Sequence, residues 1–396
     1  MTAGVRKTKA TLADGRELFY FDDTPEYVSG QKTRRLDDPR PLVDRFAPVM
    51  VDGEEKPVTA PWMRLDPLTG DWIPMATHRM NRTFLPPADA NPFAPARPGA
   101  TYQDGEIPDT DYDVVVFENR FPSLMAVPGQ PDEVSYVDGE QIWPMRPAAG
   151  RCEVICFGPR LDQNLVDMGQ TRMRTVIEAW ADRTEELEKL PGIKQVFCFE
   201  NHGKEIGVTL HHPHGQIYAY PYLTPKTNLM LAQAKAHRER TGTNLLRDIL
   251  EAELRSGRRI ITQTDHWVLY TPAAARWPVE MHLAPRRDVA ALYELTEAER
   301  EDLSQVYLKM LAAGNRFFVG EDEDGNPEPI ELPYIAAWHQ APVGEGREDL
   351  RLHLQLFSFL RSPGKLKYLA GSESGMGAWI SDTTPEKIAD RLREVY

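Results

Sequence analysis

The sequence is short of cysteine, of long apolar runs and of positive charge, and each shortage argues against a class of protein. Only Cys152, Cys156 and Cys198 are present in 396 residues. The count is odd and no CxxC pair occurs, which argues against a disulfide framework; the three read as small buried hydrophobes in a reducing compartment. No stretch reaches the ~20 apolar residues of a membrane helix. The opening Met1-Thr2-Ala3-Gly4-Val5-Arg6-Lys7 lacks the apolar core of a secretory signal. A cytoplasmic enzyme with no membrane contact is the expectation. Lys and Arg number 46 against 60 Asp and Glu, a formal net charge of −14, which repels nucleic acid and anionic lipid in bulk. A phosphorylated small molecule gripped by a few local cations and N–H groups remains compatible with that charge.

What the chain does carry is a repeated order of elements. Residues 1–60 are charged and dotted with proline, with one apolar piece at Leu18-Phe19-Tyr20-Phe21; they read as an arm packed on the body with one strand. Residues 84–112 and the stretch from about Gly129 to Gly150 read as irregular. Val114-Val115-Val116-Phe117 predicts a strand leading to Phe121-Pro122, and Val154-Ile155-Cys156-Phe157 a second ending in Pro159-Arg160. Met173, Val176, Ile177, Trp180 and Leu187 form the stripe of a long helix. Gln195-Val196-Phe197-Cys198-Phe199 is a third strand, and a fourth carries His212 and His214.

The same succession then returns. Trp267-Val268-Leu269-Tyr270 precedes Trp277-Pro278, and Met281-His282-Leu283 precedes Pro285-Arg286. A helix opened by the capping box Thr296-x-x-Glu299 follows, then Tyr334-Ile335-Ala336 and a strand with His353-Leu354-Gln355. Residues 224–256 between the two runs read as helical, started by Thr224-Pro225 and broken at Gly242. The expected fold is α+β, two similar halves each with an antiparallel sheet and a long helix, divided as arm 1–60, first half 61–222 and second half 223–396.

The chemistry concentrates in Thr209-Leu210-His211-His212-Pro213-His214-Gly215-Gln216, three of ten histidines in four positions. On a strand, His212, His214 and Gln216 share one face while His211 faces the other. Pro213 donates no N–H, so the strand is read as an edge or as facing a ligand there; Gly215 permits close backbone approach. A neutral imidazole attacks phosphorus when its other nitrogen donates to an acceptor. Gln216 and Thr209 supply neutral donors for phosphoryl oxygens. Spacing alone leaves two other readings open, a metal site shared by His at i and i+2 and a structural cluster.

His212-Pro213-His214-Gly215-Gln216 resembles the active-site motif of the galactose-1-phosphate uridylyltransferases, a branch of the histidine-triad superfamily whose hydrolases carry a histidine in place of Gln216. Phe199-Glu200-Asn201, Asp66-Pro67-Leu68-Thr69-Gly70-Asp71-Trp72, Phe117-Glu118-Asn119-Arg120-Phe121-Pro122, Trp338-His339 and Leu352-His353 resemble further motifs of the family. The resemblance spans residues 60 to 375 and implies a duplicated histidine-triad-like fold. It implies a ping-pong reaction in which His214 takes UMP from UDP-glucose, releases glucose 1-phosphate and passes UMP to galactose 1-phosphate. It further implies that His212 is catalytic beside His214 and Gln216, that Gln216 and Thr209 hold phosphoryl oxygens, and that Arg79 and Arg82 steady the sugar phosphate. Asn119, Arg120, Phe121 and Asn201 would hold uridine, Lys367 and Glu373 would contact the hexose, and the chain would form a homodimer.

Departures from the family pattern bear on metals. Many members hold a structural zinc through a CxxC, a further histidine and the first histidine of the motif. Here Leu85-Pro86-Pro87-Ala88-Asp89-Ala90-Asn91-Pro92-Phe93-Ala94 has no cysteine, with Asn91 and Ala94 at the ligand positions, and Pro159-Arg160-Leu161 has no histidine. Only His212 remains, and one ligand does not hold structural zinc. At a second site, known in some members, His339 and His353 are kept, Gln355 replaces a histidine and no carboxylate sits at the expected place near Met230. No metal is expected, and none is required for the chemistry. A nucleotide-sugar phosphorylase or adenylyltransferase of the same branch, a nucleotide hydrolase and a non-catalytic nucleotide-binding scaffold are the alternatives. Gln216 speaks against the hydrolase, and the intact His214, Gln216, Arg79 and Asn201 speak against the scaffold.

Overall fold

The computed structural model describes residues 4–42, 49–51, 54–56, 61–76, 91–97, 105–126, 134–208, 210–322 and 324–396. Its centre is one eleven-stranded antiparallel sheet. The strands in chain order are β1 (Arg6–Thr11), β2 (Glu17–Asp22), β3 (Val114–Glu118), β4 (Arg151–Cys156), β5 (Gln195–His202), β6 (His214–Tyr220), β7 (Ile260–Gln263), β8 (Trp267–Tyr270), β9 (Val279–Pro285), β10 (Tyr334–His339) and β11 (His353–Ser358). The longer helices are α1 (Leu165–Glu188), α2 (Pro225–Thr241), α3 (Leu245–Ser256), α4 (Glu297–Gly314) and α5 (Pro385–Val395). Across the sheet the order is β1-β2-β3-β4-β6-β5-β10-β11-β9-β8-β7. Read outward from the β5–β10 pair, β5-β6-β4-β3 mirrors β10-β11-β9-β8. The two similar halves expected from the sequence are therefore joined through one ladder, Cys198 opposite Trp338 and Asn201 opposite Ile335.

Helix α1 starts where Asn164 and Asp167 form a capping box and bends at Gly169 (φ 79°); α4 starts on the capping box of Thr296 and Glu299. Their apolar stripes meet on one face of the sheet. Met173, Val176, Ile177, Trp180 and Leu187 of α1 join Leu303, Val306, Tyr307 and Met310 of α4 in one buried cluster. Trp338 on the seam packs 6.3 Å from Trp180, 6.1 Å from Trp267 and 6.4 Å from Tyr307, ring to ring, so the aromatic centre spans both halves. α2 ends at Gly242 (φ 77°) and α3 begins at Leu245, the break expected there. This pair lies over the opposite face of the second half, where Leu250 packs on Val268, Tyr270 and Ala284.

Three expectations are corrected. The arm carries two strands of the main sheet rather than one: β1 and β2 form a hairpin that extends the sheet edge along β3. Lys7-Thr8-Lys9 is too polar to read as a strand, but pairing with β2 satisfies its backbone. The stretch from Gly129 to Gly150 is not wholly irregular. Ser135–Tyr136 and Pro144–Pro147 belong to a four-stranded sheet with Trp62–Leu65 and Trp72–Met75, where the partner strand supplies order that the local sequence does not advertise. Finally, β6 is central, between β4 and β5, and starts at His214. Pro213 precedes the ladder, so its missing N–H costs no strand pairing; its carbonyl accepts from Phe157 N at 3.2 Å.

Trp338 is 1% exposed at the centre of the seam, and Trp338→Ala is expected to cost about 3–5 kcal/mol. Denaturant titration of the variant against wild type checks this.

Candidate active site

The site grows out of the first turn of β6. Gly215 faces the helix layer, where a Cβ would stand 2.9 Å from the Phe199 carbonyl oxygen and 3.1 Å from the Phe157 ring; only glycine lets the two strands close. His214 and Gln216 on either side then share the other face. The His214 ring nitrogen Nδ1 lies 2.6 Å from the His212 carbonyl oxygen. That oxygen can only accept, so Nδ1 carries the proton and Nε2 keeps its lone pair. Burial lowers the His214 pKa from the usual imidazole value, against the small opposing effect of that bond, which keeps the ring neutral. The Tyr218 hydroxyl donates to Gln216 Oε1 at 3.0 Å and orients the amide with its NH2 available as a donor.

A cleft of about 520 Å³ opens beside this strand end, with His211, His212, His214, Glu200, Asn201 and Glu331 among its walls. Its size suits a drug-sized or nucleotide ligand. The Asn201 side chain makes no hydrogen bond among the described residues. The buried Glu200 carboxyl is pushed up to about 7 by desolvation, partly countered by His202.

His212 is not part of the strand face expected for it. It sits just before β6, 1% exposed, with both ring nitrogens engaged. Asn91 Nδ2 donates to Nδ1 at 2.9 Å; Nε2–H faces the Gly158 carbonyl at 2.8 Å and the Tyr112 hydroxyl oxygen at 2.7 Å. Burial pushes its pKa down to about 4. The Phe93 ring packs edge-on 5.1 Å from His214 and 5.9 Å from His212.

The remaining candidates divide. Asn119 closes the turn after β3, its N–H donating to Cys152 O at 2.8 Å and its Oδ1 accepting from Phe121 N at 2.8 Å. Arg120 is exposed, and Phe121 is partly so. This turn lies on β3, two strands from β6 with β4 between them. Lys367 and Glu373 pair with each other at 3.8 Å in the second half, Lys367 also meeting Asp382 at 3.1 Å. Among the described residues neither bonds to the His212–Gln216 motif. Thr209, Arg79 and Arg82 lie outside the described residues. Tyr112 was not singled out by sequence reasoning: one tyrosine among aspartates in an irregular stretch carries no pattern.

The donor sets do not fit the family's metals. Among the described residues no group of three or more His, Cys, Asp and Glu side chains is placed to hold an ion. At the zinc position both His212 nitrogens are already bonded, Asn91 presents a donor, and Arg160 is exposed and paired with Asp162 at 2.7 Å. At the second position the rings of His339 and His353 stack at 5.1 Å and 13°, side by side rather than converging on a point. Gln355 Nε2 caps His353 Nε2 at 3.1 Å, and the Lys226 ammonium bonds Gln355 Oε1 at 2.6 Å. A cation thus already stands there, its pKa lowered to about 8 by burial and by Arg276.

The chain is similar to known proteins along most of its length. The family model of the galactose-1-phosphate uridyl transferase N-terminal domain matches residues 52–224, and that of its C-terminal domain residues 230–396. A galactose-1-phosphate uridylyltransferase of Streptomyces lividans is 42% identical over 99% of this chain and 98% of its own length. One from Thermotoga maritima is 31% identical over 84% of this chain and 98% of its own. A solved uridylyltransferase structure superposes with a TM-score of 0.71 at 31% identity, covering 84% of this chain and 98% of that one. The chain belongs to the galactose-1-phosphate uridylyltransferase family.

Proposed function

We propose that the chain transfers UMP between hexose 1-phosphates, converting UDP-glucose and galactose 1-phosphate into glucose 1-phosphate and UDP-galactose. The observation that carries the reading is the His214 Nδ1–H bond to the His212 carbonyl, which leaves Nε2 as the nucleophile. Nε2 attacks the uridine-bearing phosphorus, an N–P bond forms, and the P–O bond to glucose 1-phosphate breaks. A phosphate oxygen of galactose 1-phosphate then attacks the same phosphorus, and the N–P bond breaks with its electron pair returning to Nε2. Gln216 and Thr209 donate to phosphoryl oxygens as charge builds on them; Arg79 and Arg82 steady the sugar phosphate. Asn119, Arg120, Phe121 and Asn201 hold uridine. The chemistry runs on imidazole and positioned donors without a metal. Three buried free cysteines suit a reducing cytoplasm.

Lys367 and Glu373 contact the hexose, and a homodimer is the natural way to bring them to it. The segment that carries them exposes Tyr368 at 79%, Met376 at 83% and Ile380 at 58%, an apolar rim that a second copy would cover.

Mass spectrometry of intact protein after mixing with UDP-glucose alone is expected to show a gain of one UMP. The adduct is absent in His214→Ala and discharged by galactose 1-phosphate; steady release of free nucleotide without an adduct would instead mark a hydrolase, and no adduct or turnover would send the search to ADP-glucose. The uridylylation rate should hold on the acid side. Because the folded pKa of His214 lies below 6.5, the ring is still mostly neutral at pH 6.5, where a solvated imidazole is half protonated, so the acid limb in rapid-quench experiments should have its midpoint below that value. Co-expressed His214→Ala and Lys367→Ala chains, purified as heterodimers, should regain about half of wild-type activity, since one of the two sites is then whole; no recovery would show that each site is built within one chain.

A further inference from the structure

The carbonyl oxygen that fixes the nucleophile belongs to His212, so whatever holds His212 also aims His214. Asn91 Nδ2 donates to its Nδ1 at 2.9 Å, and its Nε2–H is shared by the Gly158 carbonyl and the Tyr112 hydroxyl oxygen. The Tyr112 hydroxyl proton is in turn within reach of the Phe93 carbonyl at 2.9 Å, and Asn91 Oδ1 accepts from Phe93 N at 3.0 Å. A closed set of bonds thus joins Asn91, Phe93 and Tyr112 to His212, and the Phe93 ring touches the imidazoles of both His212 and His214.

The N-terminal arm backs this set. Ala10, Leu12, Leu18 and Tyr20 of the β1–β2 hairpin share one buried cluster with Phe93, Ile107 and Tyr112. Arg16 between the strands reaches Glu106 at 2.6 Å and the Glu118 carbonyl at 2.8 Å, the latter one residue before Asn119. Glu106 N closes onto Pro92 O at 2.7 Å. The family model begins only at residue 52, whereas the Streptomyces relative aligns over 99% of this chain, arm included.

We propose that Asn91 and Tyr112, backed by the N-terminal hairpin, are positioning residues for the nucleophile: a metal-free clamp on His212 that sets the direction of the His214 imidazole, at the place where the family's zinc would otherwise hold that residue. The inference rests on His214 being the nucleophile. A ring left free to swing loses attack geometry but not substrate contacts, so the loss falls on kcat rather than KM.

Tyr112→Phe keeps the ring and its packing and removes only the hydroxyl; Asn91→Ala removes the other bond. Rapid-quench formation of the UMP adduct from UDP-glucose is measured for both, beside KM, the thermal midpoint and zinc content by plasma mass spectrometry of the wild-type protein. Uridylylation slowed about tenfold or more, with KM within about twofold and a thermal midpoint close to wild type, is the expected result. Adduct formation within about twofold of wild type in both variants would overturn the clamp. So would a loss confined to KM or to thermal stability, or one zinc per chain that disappears in His212→Asn. Absence of any adduct in wild type would instead sink the transferase reading itself, and the clamp with it.

Discussion

Strands β5 and β10 meet along a single antiparallel ladder, and this pairing makes one layer out of two half-sheets. With the ladder in place, α1 and α4 find each other on one face, and Trp180, Trp267, Tyr307 and Trp338 fill a common centre. The other face is left for covering elements: residues 91–97 and 105–112 with the hairpin side over the first half, α2 and α3 over the second. The cleft opens at the strand ends beside the seam, where β6 starts at His214, β5 ends past Asn201 and Glu331 approaches from the second half. On a central strand flanked by ladders on both sides, His214 has little freedom to wander, as the attack proposed for it would require.

The duplication is visible in the chemistry as well as in the topology. His353 and Gln355 open β11 as His214 and Gln216 open β6. His353 Nδ1 donates to the carbonyl two residues back, Arg351 O at 3.0 Å, as His214 Nδ1 does to His212 O at 2.6 Å. The difference lies at Nε2. In the second half Gln355 and Lys226 occupy that side and α2 covers it, and burial pushes the His353 pKa down to about 3. In the first half Nε2 makes no hydrogen bond among the described residues, and His214 borders the cleft. The same local geometry is thus open to the cleft on one side and capped on the other, according to what packs over it.

Charge is handled in the same local way. The chain is acidic overall, yet buried and half-buried cations are tied to named partners, among them Arg34 to Asp22, Arg172 to Asp23 and Asp113, and Arg183 to Glu153. Arg172–Asp23, with Arg16–Glu106 and Arg151–Glu17, binds the N-terminal arm to the body, and breaking such a pair leaves a desolvated charge. The arm is therefore a fixed part of the first half, and its apolar residues reach the shell around the histidines.

Periodicity and capping alone determined the core strands and long helices of the two halves and the break at Gly242, because each is written in short-range patterns of apolar and turn-forming residues. The motif from His212 to Gln216, and the missing cysteines, were likewise legible. Tertiary structure decided that β6 is central rather than an edge, that polar Lys7-Thr8-Lys9 is a strand, and that Ser135–Tyr136 and Pro144–Pro147 join a sheet, since backbone pairing is satisfied by distant partners that local sequence does not name. It also decided the place of Tyr112, a hundred residues from His212 in sequence and 2.7 Å from it in space; a contact of that kind exists only once the chain has folded, for it belongs to the packing of two segments and to neither of them alone.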